Sequence, residues 1–164
     1  LLARQLGPGS RRALALTLQH RCVQLFQAAA FPKAEAACAE SAGAARGASL
    51  EASDTAGILV AWARVLQDLH QYDKAQKILE EAMPVARGAG LGMNSAMSQV
   101  LSGLASLLYR QDKYAEAEKA LRQAIEFKRK LYPNGHLDLA RSLNNLANIV
   151  TSQDRHREAI ALFE

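Results

Sequence analysis

Apolar residues fall at i, i+3, i+4 and i+7 in one stretch of the chain after another, which is the stripe of an amphipathic helix. Leu59, Trp62, Ala63 and Leu66 form one stripe, Leu101, Leu104, Ala105 and Leu108 the next, and Leu143, Leu146, Ala147 and Val150 a third. After each comes a short polar turn and a second helical pattern, carried by Ala75, Leu79 and Ala82, then by Ala117, Leu121 and Ala124. The interval is fixed. Ala75 to Ala117 is 42 residues, Ala117 to Ala159 is 42, and Ala34 lies 41 before Ala75. Alternating apolar–polar runs bounded by turn residues are absent, so no strand is predicted. Self-similarity at such a period predicts an array of helix pairs in which each unit packs on its neighbours.

Small residues are the sharpest part of the pattern. Ala63, Ala75 and Ala82 recur as Ala105, Ala117 and Ala124, then as Ala147 and Ala159. One small side chain on the first helix facing two on the second lets the backbones approach closely. The expected units are 11–51, 52–93, 94–135 and 136–164, with 1–10 as the end of a preceding unit. The first unit is degenerate: Arg21 takes the slot of Trp62, Leu104 and Leu146, where its stem can cover apolar surface while its head reaches water. Pro84 with Gly88, Gly90 and Gly92 predicts that the second helix of its unit bends or ends early, making the following linker the softest point of the array. Both ends of the sequence fall inside a unit, so the chain reads as a piece of a longer array.

Trp62, the turn aromatics Tyr72 and Tyr114, and the small residues Ala75, Ala117 and Ala159 resemble the tetratricopeptide repeat, a helix–turn–helix unit. The usual period is about 34 residues, so the longer interval here is similar to the long-repeat branch found in kinesin light chains. Ser142-Leu-Asn-Asn-Leu-Ala-Asn and Leu131-Tyr-Pro-Asn-Gly-His are very like that branch. The resemblance implies an all-α, right-handed superhelical solenoid of antiparallel helix pairs. It also implies a concave groove lined by the first helices, and a role in holding other proteins.

Within such a groove, helical geometry selects Asn144, Asn145, Asn148 and Arg141 in the fourth unit. It selects Ser106, Tyr109 and Arg110 in the third, Arg64 and Gln67 in the second, and Gln19, His20, Val23, Phe26 and Gln27 in the first. Asn offers a donor and an acceptor on a short stem, and Arg a planar fork suited to carboxylates. The resemblance implies that Asn145 and Asn148 clamp an extended peptide, although the third unit has Gly103 and Ser106 at those slots.

Composition narrows the picture little. The chain has 164 residues, 20 basic and 16 acidic, for a net charge of +4. Basic residues run together only at Arg11-Arg12 and Lys128-Arg129-Lys130, the latter expected as a solvated helix end rather than a nucleic-acid contact. No apolar run reaches the ~18 residues of a membrane span. Cys22 and Cys38 stand on packing slots without a CxxC or a His at ligand spacing, and are expected as two small buried hydrophobes. That expectation favours a cytoplasmic setting. No HExxH, GxSxG or phosphate loop follows a predicted strand, so neither an enzyme nor a cofactor or metal site is expected. The expected function is a protein-interaction scaffold binding a peptide or protein segment, acidic in character, with no membrane and no nucleic-acid partner. The rival is a rigid arm or oligomerisation module of a larger effector, such as a protease or signalling NTPase.

Overall fold

The computed structural model describes residues 7–46, 48 and 50–162. The readings that 1–6 close an earlier helix and that Glu164 stops inside one lie outside them. Eight α-helices are described: α1 (Pro8–Gln27), α2 (Phe31–Arg46), α3 (Ala52–Asp68), α4 (Tyr72–Arg87), α5 (Met93–Arg110), α6 (Tyr114–Leu131), α7 (Leu137–Thr151) and α8 (His156–Ala161). A 3-10 turn, Gly90–Gly92, joins α4 to α5. No strand occurs among the described residues. Each helix packs on the next, and α1 on α3 and α3 on α5 as well, which makes an all-α solenoid of successive pairs.

Local chemistry sets these boundaries. Carboxylates stand in the first turns of α3, α4, α6, α7 and α8 (Asp54, Asp73, Glu116, Asp138 and Glu158). Basic residues occupy the last turns of α2, α4, α5 and α6, so both helix ends meet the favourable charge. Pro84 is accommodated inside α4, which stops at Arg87 where its counterpart α6 continues to Leu131.

Every hairpin inside a pair turns in the same way. Among the described residues, the non-glycine positions with positive φ are Ala29 (54°), His70 (57°), Asp112 (58°) and Asp154 (59°), spaced by 70 − 29 = 41, 112 − 70 = 42 and 154 − 112 = 42. At each, two backbone bonds close the helix: Ala30 N–H to Leu25 O with Ala29 N–H to Phe26 O, and likewise at Gln71–Leu66 with His70–Gln67. Lys113–Leu108 with Asp112–Tyr109, and Arg155–Val150 with Asp154–Thr151, repeat it. This six-to-one plus five-to-two pair satisfies carbonyls that the helix end leaves open. In the following helix, which begins three residues before the small residue, the N–H groups of Ala34, Ala75, Ala117 and Ala159 bond back to the carbonyls just ahead of the helix, at Ala30, Gln71, Lys113 and Arg155.

The core runs along the solenoid as a ribbon. Ala63, Ala75, Ala82, Ala105, Ala117 and Ala124 are all buried, as are Leu66, Leu79, Leu107 and Leu121 between them. In the first unit Ser41 takes the slot of Ala82 and Ala124, and its hydroxyl donates to the carbonyl of Ala15 at 2.7 Å. Arg21 is exposed.

Cys22 and Cys38 depart from the sequence expectation. They form a disulfide between α1 and α2, with Cα atoms 5.2 Å apart, packed with Ala34, Ala37 and Val65. The physical reason is the hairpin, which sets the two side chains face to face. The equivalent pairs are Ala63–Leu79 and Ala105–Leu121, a small residue opposite a large one, and in the first unit two sulfurs fill that space. Free thiols would have favoured a reducing compartment; a disulfide does not, since disulfides persist where conditions are oxidising.

Candidate functional site: the groove of first helices

The spacing of α3, α5 and α7 creates the site. Gly103 lets α5 close on α3: a Cβ there would stand 3.0 Å from Leu79 Cδ2 and 3.3 Å from Val60 Cγ1. The same slot one period on is Asn145, whose side chain cannot be absorbed in that way. There α5 and α7 barely touch, and a trough opens between them.

Three adjoining cavities make up this trough. One, of about 410 Å³, has Ala105, Leu121 and Ile149 as an apolar floor and Ser102, Ser106, Tyr109, Arg110, Asn145 and Asn148 as its polar rim. A second, of about 440 Å³, reaches back along α3 and α5 and takes in Arg64, Lys128, Asp138 and Arg141. A third, of about 500 Å³, lies between Arg64 and the outer face of α7, with Leu137, Ala140, Arg141 and Asn144. Asn145 borders all three. Leu137 is 70% exposed at the rim, leaving an apolar contact uncovered.

Eight of the nine residues selected in the second to fourth units line this trough: Asn144, Asn145, Asn148, Arg141, Arg110, Tyr109, Ser106 and Arg64. Among the described residues, the amides of Asn144, Asn145 and Asn148 have no hydrogen-bond partner within the protein. Gln67 is the exception. It is 1% exposed, and its Oε1 accepts from Ser106 Oγ at 2.9 Å, so it supports the trough from beneath instead of facing a ligand. Its counterpart Tyr109 stays 38% exposed because α7 does not cover α5 as α5 covers α3. The first-unit positions Gln19, His20, Val23, Phe26 and Gln27 line none of these cavities.

Charge along the trough is uneven. Arg110 donates to Asp68 Oδ1 at 2.6 Å, so its fork is occupied from within. Arg64 has no carboxylate partner among the described residues and stands 6.0 Å over the ring of Phe26. Arg141 reaches only Asp138, at 3.9 Å. Lys128 corrects the expectation of a solvated helix end. It is half-buried, its Nζ donating to Ser142 Oγ at 2.7 Å and to the carbonyl of Asp138 at 3.3 Å, while Arg129 and Lys130 are exposed. Burial lowers the pKa of Lys128, against the raising influence of Asp138. The residue belongs to the stripe Ala117, Leu121, Ala124, Lys128, so the sequence did carry this signal.

A sequence model of the tetratricopeptide repeat matches residues 54–130 and 96–164. The chain belongs to the tetratricopeptide-repeat family. Among solved structures it is similar to BtubC (BKLC) from P. vanneervenii, with a TM-score of 0.78 and 22% sequence identity over 98% of this chain. That match spans 66% of the BtubC chain. At this identity the likeness is one of fold, an all-α array of helix pairs. No curated protein matches the chain. The tetratricopeptide repeat is a scaffold for protein–protein interaction, and the trough is the face of this array with open polar groups and uncovered apolar floor.

Proposed function

We propose that this array, with unit boundaries at 11–51, 52–93, 94–135 and 136–164, binds an acidic peptide or protein segment along the trough of α3, α5 and α7. The array acts as a scaffold and carries out no chemistry of its own. One observation carries the reading: Asn145 and Asn148 offer unpartnered side-chain amides over an apolar floor, while beside them Arg64 has no carboxylate partner among the described residues and Arg141 has only the long contact to Asp138 at 3.9 Å. Exposed amides in a concave surface can bond an extended backbone in both directions, and a floor of Ala105, Leu121 and Ile149 accepts an apolar side chain.

The charges along the trough favour an acidic segment at one end of it only. Arg110 is committed to Asp68, so attraction comes from Arg64, Arg141 and Lys128 at one end of the trough. Exposed charges of this kind steer encounter and set salt sensitivity more than they set affinity. The test is binding of fluorescein-labelled acidic peptides by anisotropy at two salt concentrations, with wild type against Arg64→Gln/Arg141→Gln. Salt-sensitive binding that loses its salt dependence in the variant supports the reading. Equal binding of acidic and neutral peptides by both proteins contradicts it.

A further inference from the structure

The α3 end of the trough is more specific than general acidity requires. Three cations from three helices line its 440 Å³ cavity, Arg64 from α3, Lys128 from α6 and Arg141 from α7, with one carboxylate, Asp138. That leaves an excess of 3 − 1 = 2 positive charges. Lys128 is half-buried on neutral oxygens, with one of its three N–H donors unused, and no carboxylate lies within 4.0 Å of Nζ among the described residues. Burying a cation in this way is costly unless an anion joins it. Ser102 Oγ, in the wall of the same cavity, is buried without a partner.

We infer that this cavity receives a phosphorylated side chain of the bound segment, held by Arg64, Lys128 and Arg141, with the Ser102 hydroxyl as a further donor. The inference rests on the groove reading above and names one feature of its ligand. A carboxylate is planar, carries a single charge and is satisfied by one guanidinium fork. A phosphoryl group carries about −1.5 to −2 at neutral pH and three acceptor oxygens disposed tetrahedrally. Cations arriving from three directions suit the second geometry, and the excess charge of the lining matches its charge.

The test is a 15N NMR titration of the whole chain, following backbone amides and arginine Nε–H groups, with two probes of equal length. One is N-acetyl-phosphoserine methylamide and the other N-acetyl-glutamate methylamide. The phosphoserine probe is expected to shift the Arg64 and Arg141 Nε–H signals and the Ser142 amide, and to bind at least tenfold more tightly than the glutamate probe. Arg64→Gln/Arg141→Gln, at two exposed positions, is expected to weaken it tenfold or more while leaving the remaining spectrum in place. Equal affinity of the two probes overturns the inference. So does phosphoserine binding that the double variant leaves unchanged. An unphosphorylated acidic peptide that binds the trough with no gain from a phosphoserine would overturn this inference and leave the groove reading standing. No binding by any of them would remove both.

Discussion

The disulfide between Cys22 and Cys38 makes the sharpest prediction about stability. It closes a loop of 16 residues around the α1–α2 turn, and a cross-link of that length removes about 3 kcal/mol of chain entropy from the unfolded state. For a chain of this size each kcal/mol shifts the midpoint by about 2–4 °C, so reduction should lower the thermal midpoint of the chain by about 6–12 °C. Reduction isolates the covalent contribution, because both sulfurs remain in place. A variant separates it from packing. Cys22→Ala/Cys38→Leu restores the Ala–Leu pairing of Ala63 with Leu79 and Ala105 with Leu121. It gives up the cross-link and gains a buried leucine of about 1.5–3 kcal/mol. It should therefore fold, lie close to the oxidised wild type in stability, and ignore reductant. Circular dichroism melts with and without a phosphine reductant, alongside thiol counting of the denatured protein, measure each quantity. A wild type whose midpoint is unmoved by verified reduction would refute the reasoning, and two titratable thiols in the untreated protein would refute the bond itself.

Three further predictions concern the array. Glu118 accepts from Gln153, Arg122 and Arg155, at 2.9, 2.9 and 2.6 Å, and its side chain is 12% exposed. Burial alone would raise its pKa, but these three bonds overcome it and hold the carboxyl below its ordinary 4.5. Its contribution is therefore complete above that value and lost as pH falls through the depressed pKa. Glu118→Gln should cost about 1–3 kcal/mol at pH 7 in urea unfolding and little once the wild-type carboxyl is protonated; an equal cost at both ends would contradict the assignment. Ala29→Gly should raise stability by about 0.5 kcal/mol, since relief of an L-residue at φ 54° outweighs the flexibility gained by the unfolded chain, and a loss of stability would show that the turn is not strained. Gly103→Asn should destabilise by about 1–3 kcal/mol through overpacking against Leu79 and Val60, and a neutral effect would mean that α5 does not need that close approach to α3.

Much of this architecture is legible in the sequence because it follows from local rules repeated at a fixed interval. The stripe positions are buried or partly buried, and the alanines that set the register are all buried. What failed to appear depends on neighbours. Gln67 and Tyr109 occupy the same slot, and only the closer packing of α5 on α3 buries the first. That packing traces to Gly103, a residue that says nothing about Gln67 on any helical wheel. The Cys22–Cys38 bond could have been found from facing slots, where Ala opposite Leu elsewhere becomes Cys opposite Cys. Lys128 was visible on its helix stripe, but the run Lys128-Arg129-Lys130 draws attention to charge before face.

The central claim is that the trough between α5 and α7 is a receptor for a peptide or protein segment, and Asn145 borders every part of it. The most direct measurement is a peptide-array screen comparing wild type with Asn145→Ala/Asn148→Ala, both confirmed folded by circular dichroism. Each hydrogen bond contributes about 0.5–1.5 kcal/mol, so loss of the pair predicts affinity lower by roughly tenfold or more for every wild-type hit. Hits retained at full strength by the variant would contradict the claim and place the binding surface elsewhere on the array.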